Sequence, residues 1–294
     1  MIRPILLLLL VIVVMFIYER EVSFFAFGET DSNLEYLDLY KIKDKNEGLI
    51  EPSGLALSHD GNALWTVSDN TEKVFKLSLD GKLQKSESFE ITDRDLEGIA
   101  LDASGKFLFV VKEAENEIIK INIAEQIEVD RKPLSEMSGY QVIAQYFQNS
   151  PPNKGLEGIT WNIDTGSIFV LKEALPGLLI EVSADLTAIQ NHILLAESNG
   201  FFDAKVSPNK LDFSGICYDQ VRKQFWIVSD KGQKVFLFDH NQNRVIESFS
   251  LGYHQKSKHK KIKKAEGIAL HPNSNHLFVV SDKEARLYQF SSHE

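Results

Sequence analysis

Asp95-Leu96-Glu97-Gly98-Ile99-Ala100-Leu101-Asp102 is one of five versions of a phrase that recurs along the chain. Gly155-Leu156-Glu157-Gly158-Ile159-Thr160-Trp161-Asn162 and Lys264-Ala265-Glu266-Gly267-Ile268-Ala269-Leu270-His271 repeat it closely. Pro52-Ser53-Gly54-Leu55-Ala56-Leu57 and Phe213-Ser214-Gly215-Ile216-Cys217-Tyr218 carry serine in place of the glutamate. Roughly ten residues beyond each phrase a short apolar run closes on an acid: Asp69 after Trp65-Thr66-Val67-Ser68, Glu113 after Phe109-Val110-Val111-Lys112, Glu173 after Phe169-Val170-Leu171-Lys172, Asp230 after Trp226-Ile227-Val228-Ser229 and Asp282 after Phe278-Val279-Val280-Ser281. A unit of a few tens of residues built of short strands, repeated in this way, specifies a solenoid or a propeller.

Turn residues divide each unit further. The first unit reads as strands at 53–57, 63–67, 73–79 and near 85–91, with turns at Asp60-Gly61-Asn62 and Asp80-Gly81. The second gives 97–101, 107–111 and 117–123 and then a looser stretch that ends in a fourth segment at 140–147; the third gives 157–162, 167–171, 178–182 and 188–195. The fourth gives 213–218, 225–229, 234–238 and 245–251, and the fifth gives 266–270, 277–281 and 286–290 before the chain stops. One strand is therefore missing at the end, and one is left over at the beginning, residues 34–42 (LEYLDLYKI). Placing that orphan on the outside of the last sheet closes a ring and leaves no open edge between the two chain ends. The expected fold is all-β: one propeller of five four-stranded blades, closed by the N-terminal strand. Six blades is the alternative, but residues 130–150 and 198–209 read as loops and neither holds four strands.

Antiparallel order alone then places chemistry. The first strand of a blade leaves one face and the second returns to it. Ser53, Glu97, Glu157, Ser214 and Glu266 thus share a face with Asp69, Glu113, Glu173, Asp230 and Asp282, and first strands line the axis. The ring's mouth collects acids whose mutual repulsion calls for a cation or basic side chains. Hard cations such as calcium take several oxygen ligands of this kind. The candidate metal ligands are Glu97, Glu157, Glu266, Glu113, Glu173 and Asp69, with Asn70, Asn116 and Asn153 as amide donors nearby. The architectural alternative is that the acids lock neighbouring blades through backbone amides and pair with Lys112 and Lys172. A second departure from the repeat is the run from His254 to Lys264, which carries six lysines and enters the fifth unit on the acid-bearing face. It reads as a solvated, mobile loop or as a clamp for phosphate or an anionic lipid surface, formed by Lys258, Lys260, Lys261 and Lys263.

Composition narrows the classes. With 294 residues, 43% hydrophobic and 10% aromatic, the chain can fill a large core as one domain. A net charge of −10 argues against a nucleic-acid partner. The single cysteine, Cys217, excludes an internal disulfide and falls in an apolar strand as a small core residue. No Gly-x-Ser-x-Gly, His-Glu-x-x-His or phosphate-cradling loop is present, so no nucleophile with a partner base can be named. Residues 1–20 form a signal anchor or a cleaved signal peptide: Arg3 precedes an unbroken apolar run at 5–18, which Glu19-Arg20-Glu21 ends. Residues 21–33 are a linker and 34–294 the propeller. Either version of the amino-terminal segment sends the propeller across the membrane.

The phrases around Glu97, Glu157, Ser214 and Glu266, each followed by Val-Ser-Asp or Lys-Glu, resemble the SdiA-regulated (YjiK/CarP-like) family over residues 34–290. The resemblance implies a propeller on the periplasmic side of the inner membrane, attached to it or close to it, with a link to calcium and no particular reaction. It is also similar in general look to calcium-dependent propeller phytases and gluconolactonase-type propellers, in which a Glu-Gly at a strand start supplies a metal ligand. Two functions follow as expectations. One is a membrane-anchored, cation-binding module that holds a protein or anionic partner at its acidic mouth. The other is a calcium-dependent hydrolase of phosphoesters or lactones, with Glu97, Glu157 and Glu266 on the metal and the lysine run on the anion.

Overall fold

The five apolar runs that close on an acid are buried along nearly their whole length, because each is the second strand of a blade and has another blade against either face. A computed structural model of the protein describes residues 32–292, with the exception of 149, 152, 256 and 257. Blade 1 consists of Pro52–Leu57, Ala63–Ser68, Lys73–Ser78 and Phe89–Glu90, and blade 2 of Leu96–Leu101, Phe107–Lys112, Glu117–Asn122 and Ile127–Pro133. Blade 3 consists of Leu156–Asn162, Ser167–Lys172, Gly177–Val182 and Ile189–Leu195, and blade 4 of Gly215–Asp219, Gln224–Ser229, Lys234–Asp239 and Arg244–Ser250. Blade 5 joins Ala265–His271, His276–Ser281 and Arg286–Ser291 to the N-terminal strand Glu35–Lys41. That closing strand is antiparallel to the last one, with Tyr36 opposite Phe290 and Lys41 opposite Arg286.

Burial follows the blade order. Outermost strands such as Glu35–Lys41 and Ile127–Pro133 are mostly exposed or half-buried, whereas the apolar side chains between blades form five clusters, one for each interface of the ring. First strands contact one another in the cycle 1-2-3-4-5-1, with the glycine of each phrase at the waist. A Cβ on Gly98 would stand 2.4 Å from the Glu157 carbonyl oxygen, and one on Gly267 2.6 Å from the Gly54 carbonyl carbon. Only a residue without a side chain permits backbones to converge this closely. The space left at the waist does not admit water, so the acidic mouth is a blind cup.

Several expectations are corrected. The fourth strand of blade 1 is only Phe89–Glu90, shorter than 85–91. In blade 2 the fourth strand is Ile127–Pro133 rather than 140–147, so it takes in the start of the stretch read as a loop. Its poor alternation and terminal proline are tolerated because it is an edge strand. Residues 134–146 wind through three short 3-10 turns that pack Leu134, Met137 and Ile143 between blades 2 and 3. The last two linker residues, Ser32–Asn33, pair in parallel with Phe249 and Ser250 on the outside of blade 4. The lysine run is a hairpin, Gly252–Gln255 against Lys258–Lys261, rather than a loop. Among the described residues there is no α-helix, and none long and apolar enough to cross a membrane. The expected N-terminal anchor, residues 1–20, lies outside the described residues.

Candidate functional site

Strand pairing slips by one residue at the phrase itself in four blades, between Pro52 and Leu55, Leu96 and Ile99, Leu156 and Ile159, and Ala265 and Gly267. A bulge of this kind leaves a residue unpaired and re-aims its side chain. Glu97, Glu157 and Glu266 occupy these positions, and each lies in the electrostatic field of another, Glu97 with Glu157 and with Glu266. Blade 4 pairs without a slip from Gly215 onward, and its Ser214 hydroxyl donates to the Ala265 carbonyl of blade 5 at 2.6 Å. The Ser53 hydroxyl of blade 1 donates to Glu97 Oε2 of blade 2, also at 2.6 Å. Two serines thus fasten neighbouring blades while three glutamates are left at the axis.

The outer acids divide into bonded and unbonded. Glu113 Oε1 accepts from the Gly155 N–H at 3.2 Å and Asp230 Oδ1 from the Ala265 N–H at 3.4 Å, so each reaches the phrase of the next blade. Glu173 pairs with Lys154 and lies 3.7 Å from the Lys231 ammonium. Asp282 pairs with Lys264 at 2.8 Å. These four serve the architecture. The expected pairing with Lys112 and Lys172 does not occur. Lys112 reaches Asp93 and Glu115, and the fully buried Lys172 donates to the Ala174 and Pro176 carbonyls. Each lysine is the last residue of its strand and its acid the next residue on, so the two side chains leave the backbone in opposite directions.

The carboxylates of Asp69, Glu157 and Glu266 accept no hydrogen bond from any described residue. All three stay accessible at the mouth but are walled by protein, and burial is the largest cause that raises each above the ordinary carboxylate range. For Glu157 the charges of Glu97, Glu266, Glu173 and Glu113 add to it; for Glu266 that of Glu97 adds, and Lys264 opposes. Glu97 is pushed up to about 7 by burial, against the Ser53 hydrogen bond, with Asp69, Glu113 and Asp95 adding.

Carboxylate oxygens of Asp69, Asp95 and Glu97 come within 4.8 Å of one another, and so do those of Glu113, Glu157 and Glu173. All six expected metal ligands therefore face the mouth, with five of them in these two groups and Glu266 beside Glu97. Asp95 is the residue that sequence reasoning missed. Its backbone is left-handed (φ +63°), its N–H donates to the Asp69 carbonyl at 3.0 Å, and its Oδ2 accepts from the Ala114 N–H at 3.1 Å. Asp212 holds the same place in blade 4 and accepts from the Lys231 N–H at 2.9 Å. An acid two residues before the phrase's third position, in two blades, was the available signal. Of the amide donors, Asn116 has a buried Oδ1 with no partner among the described residues, beside Gly155. Asn70 and Asn153 are exposed. An all-oxygen set of carboxylates with one orphaned amide oxygen fits a hard cation such as calcium.

The other end of the axis is a cavity of about 110 Å³ below the waist, lined by Leu57, Leu101, Trp161, Tyr218 and Leu270 among others. Cys217 lies on its wall, 8% exposed, and burial pushes its thiol well up, as suits a core residue.

Solved structures similar to this chain include the following two. The crystal structure of Myxococcus xanthus glutaminyl cyclase superposes with a TM-score of 0.59 at 13% identity, covering 88% of this chain and 97% of that one. Kuenenia stuttgartiensis hydrazine synthase gives 0.44 at 15% identity, covering 79% and 56%. The first is evidence for the fold alone. The family model described as SdiA-regulated matches residues 36–291, from the closing strand to the last one and across all five phrases. The chain belongs to the SdiA-regulated family.

Proposed function

We propose that the protein is a membrane-anchored, extracytoplasmic propeller whose axial cup binds a divalent cation, calcium by the chemistry of its donors, and presents the loaded mouth to a partner. One observation carries the cation reading: the bulged strands bring Glu97, Glu157 and Glu266 together at the axis, where Glu97 accepts only the Ser53 hydroxyl and the carboxylates of Glu157 and Glu266 accept no hydrogen bond from a described residue. Calcium would supply positive charge there and take six to eight oxygens. The chain's own residues bring carboxylates to the axis, hold Glu97 by the Ser53 hydroxyl, and close the floor of the cup at the glycine waist. The anchor reading is supported by the apolar run at residues 5–18. Titration calorimetry of the purified protein with calcium tests the site. Binding should be measurable in the wild type and should weaken at least about 10-fold in Glu97→Gln and in Glu157→Gln, since each removes a charged ligand. Unchanged affinity in both variants would remove these residues from the site.

A second reading takes the same three carboxyls, Glu97, Glu157 and Glu266, as ligands of a cation that polarises a substrate oxygen at the open mouth. Such a site would serve a hydrolase of phosphoesters or lactones. Assays on both substrate classes, with and without chelator, separate it from the first reading: a pure binding module hydrolyses neither.

A further inference from the structure

The hairpin Gly252–Gln255 and Lys258–Lys261 stands at the outer rim between blades 4 and 5 as a two-stranded sheet of its own, outside the four-stranded blades. We propose that it is a docking surface for the anionic headgroups of a phospholipid bilayer. Four observations lead there. First, Lys258, Lys260, Lys261 and Lys263 are all exposed, on a chain whose net charge is −10. Lys258, Lys261 and Lys263 form no ion pair with any described residue, whereas Lys264, next along, is committed to Asp282.

Second, the hairpin is held in place. Tyr253 is 3% exposed and stacks on Tyr36 of the closing strand at 4.9 Å, with Tyr288 5.4 Å away. Lys260 lies over the Tyr253 ring, and Ile262 is fully buried. The lysines are therefore displayed by a fixed base. Third, cross-strand pairing puts Lys258 and Lys260 on the face of Tyr253, the side that packs on the propeller, where both remain exposed, and puts Lys261, with the cross-strand pair His254 and His259, on the outward face. The lysines flank the hairpin on both sides, and its two buried apolar side chains, Tyr253 and Ile262, pack against the propeller. A protein interface would need an apolar or aromatic centre; a layer of phosphates needs only positive charge brought close to it.

Fourth, the chain comes into the propeller beside this hairpin. Ser32 and Asn33 pair with Phe249 and Ser250, immediately before Gly252. The residues between the apolar run and Ser32 reach at most about 45 Å when fully extended. This step rests on the anchor reading above: an anchored chain holds the hairpin near the bilayer at a high effective concentration, so weak individual contacts suffice.

The test uses the fragment from residue 32 onward. It contains every described strand and all five clusters between blades, and so carries the whole fold without the apolar run. Co-sedimentation is measured with phosphatidylcholine vesicles, neutral or containing phosphatidylglycerol. Binding is expected only to the anionic vesicles. It should be lost as NaCl rises to about 0.5 M. It should weaken at least about 100-fold in the K258Q/K260Q/K261Q/K263Q variant, whose melting temperature verifies the fold. Equal binding to both vesicles, or undiminished binding by the folded variant, overturns the proposal. So does displacement by inorganic phosphate at matched ionic strength, which would make a free anion the ligand. If the full chain resists high-salt extraction from membranes while the fragment ignores anionic vesicles, the anchor survives and the docking surface fails. If the fragment binds and the mature protein begins after the apolar run, the docking surface survives and the anchor fails.

Discussion

A carboxylate walled off from water needs hydrogen-bond donors or a cation, or it retains its proton. Glu157 has no donor among the described residues, Glu97 has the Ser53 hydroxyl, and Glu266 has the field of a lysine already bound to Asp282. In the metal-free protein the three carboxyls therefore titrate above their unfolded values, that of Glu97 at about 7. A folded state that holds protons the unfolded state has released loses stability as pH rises. The loss begins above the ordinary value of 4.5 and runs through the raised values, so its window includes pH 5 to 7. Asp60, lowered to about 2 chiefly by the Ser58 hydroxyl, acts the other way, but only below the ordinary value of 3.8. Scanning calorimetry with chelator present should show a melting temperature lower by ~5 °C at pH 8 than at pH 5.5. The Glu97→Gln/Glu157→Gln/Glu266→Gln variant should lose most of that slope. Parallel pH profiles for the two proteins would show that the axial carboxyls are not raised by the folded protein.

At the scale of the strand, the glycine and the glutamate of the three phrases that carry both are parts of one device. The bulge turns the glutamate toward the axis, and the glycine lets the next backbone come close enough for the turned side chains to meet. Gly98→Ala would press a methyl group against the Glu157 carbonyl oxygen at 2.4 Å and the Ile159 amide nitrogen at 2.9 Å, both backbone atoms of the next blade. The expected cost is ~3 kcal/mol or more by urea unfolding, because neither atom belongs to a side chain that can swing away. Gly166→Ala is the control: nothing lies within 4 Å of its added carbon, and only its left-handed backbone (φ +70°) is strained, for about 1 kcal/mol. Equal costs would mean that the waist is not held by close approach.

The inner strands were legible in the sequence because burial on both faces writes them as apolar runs such as FLFVVK and HLFVVS, bounded by turn residues. Outer strands face water on one side and lose that signature, so IEVDRKP and the two-residue Phe89–Glu90 were misjudged. The lysine hairpin hid because its two buried side chains stand alone, Tyr253 just before the run and Ile262 between Lys261 and Lys263, and so write no apolar alternation. Antiparallel order was enough to gather the acids at one mouth. It could not tell which acids are neutralised, since Lys154 and Lys231 come from loops whose path no periodicity fixes.

For the whole molecule, stability is a property of a closed ring, and the closing strand serves two of its five interfaces. Leu34, Tyr36 and Leu39 belong to the cluster between blades 4 and 5, and Tyr40 and Ile42 to the one between blades 5 and 1. Without that strand, blade 5 keeps three strands and exposes the hydrogen-bonding edge of Arg286–Ser291. A protein beginning at residue 43 should therefore melt at least ~10 °C below one beginning at residue 32, for the loss of several kcal/mol of buried side chains. A synthetic peptide spanning residues 32–43 should restore much of the difference by adding itself as a strand to the open edge. Calcium affinity should fall and recover in parallel, because Glu266 sits in the blade that the peptide completes. Equal melting of the two truncated proteins would mean that the ring is held by its inner strands alone. Restored melting without restored calcium affinity would separate closure of the ring from the geometry of its mouth.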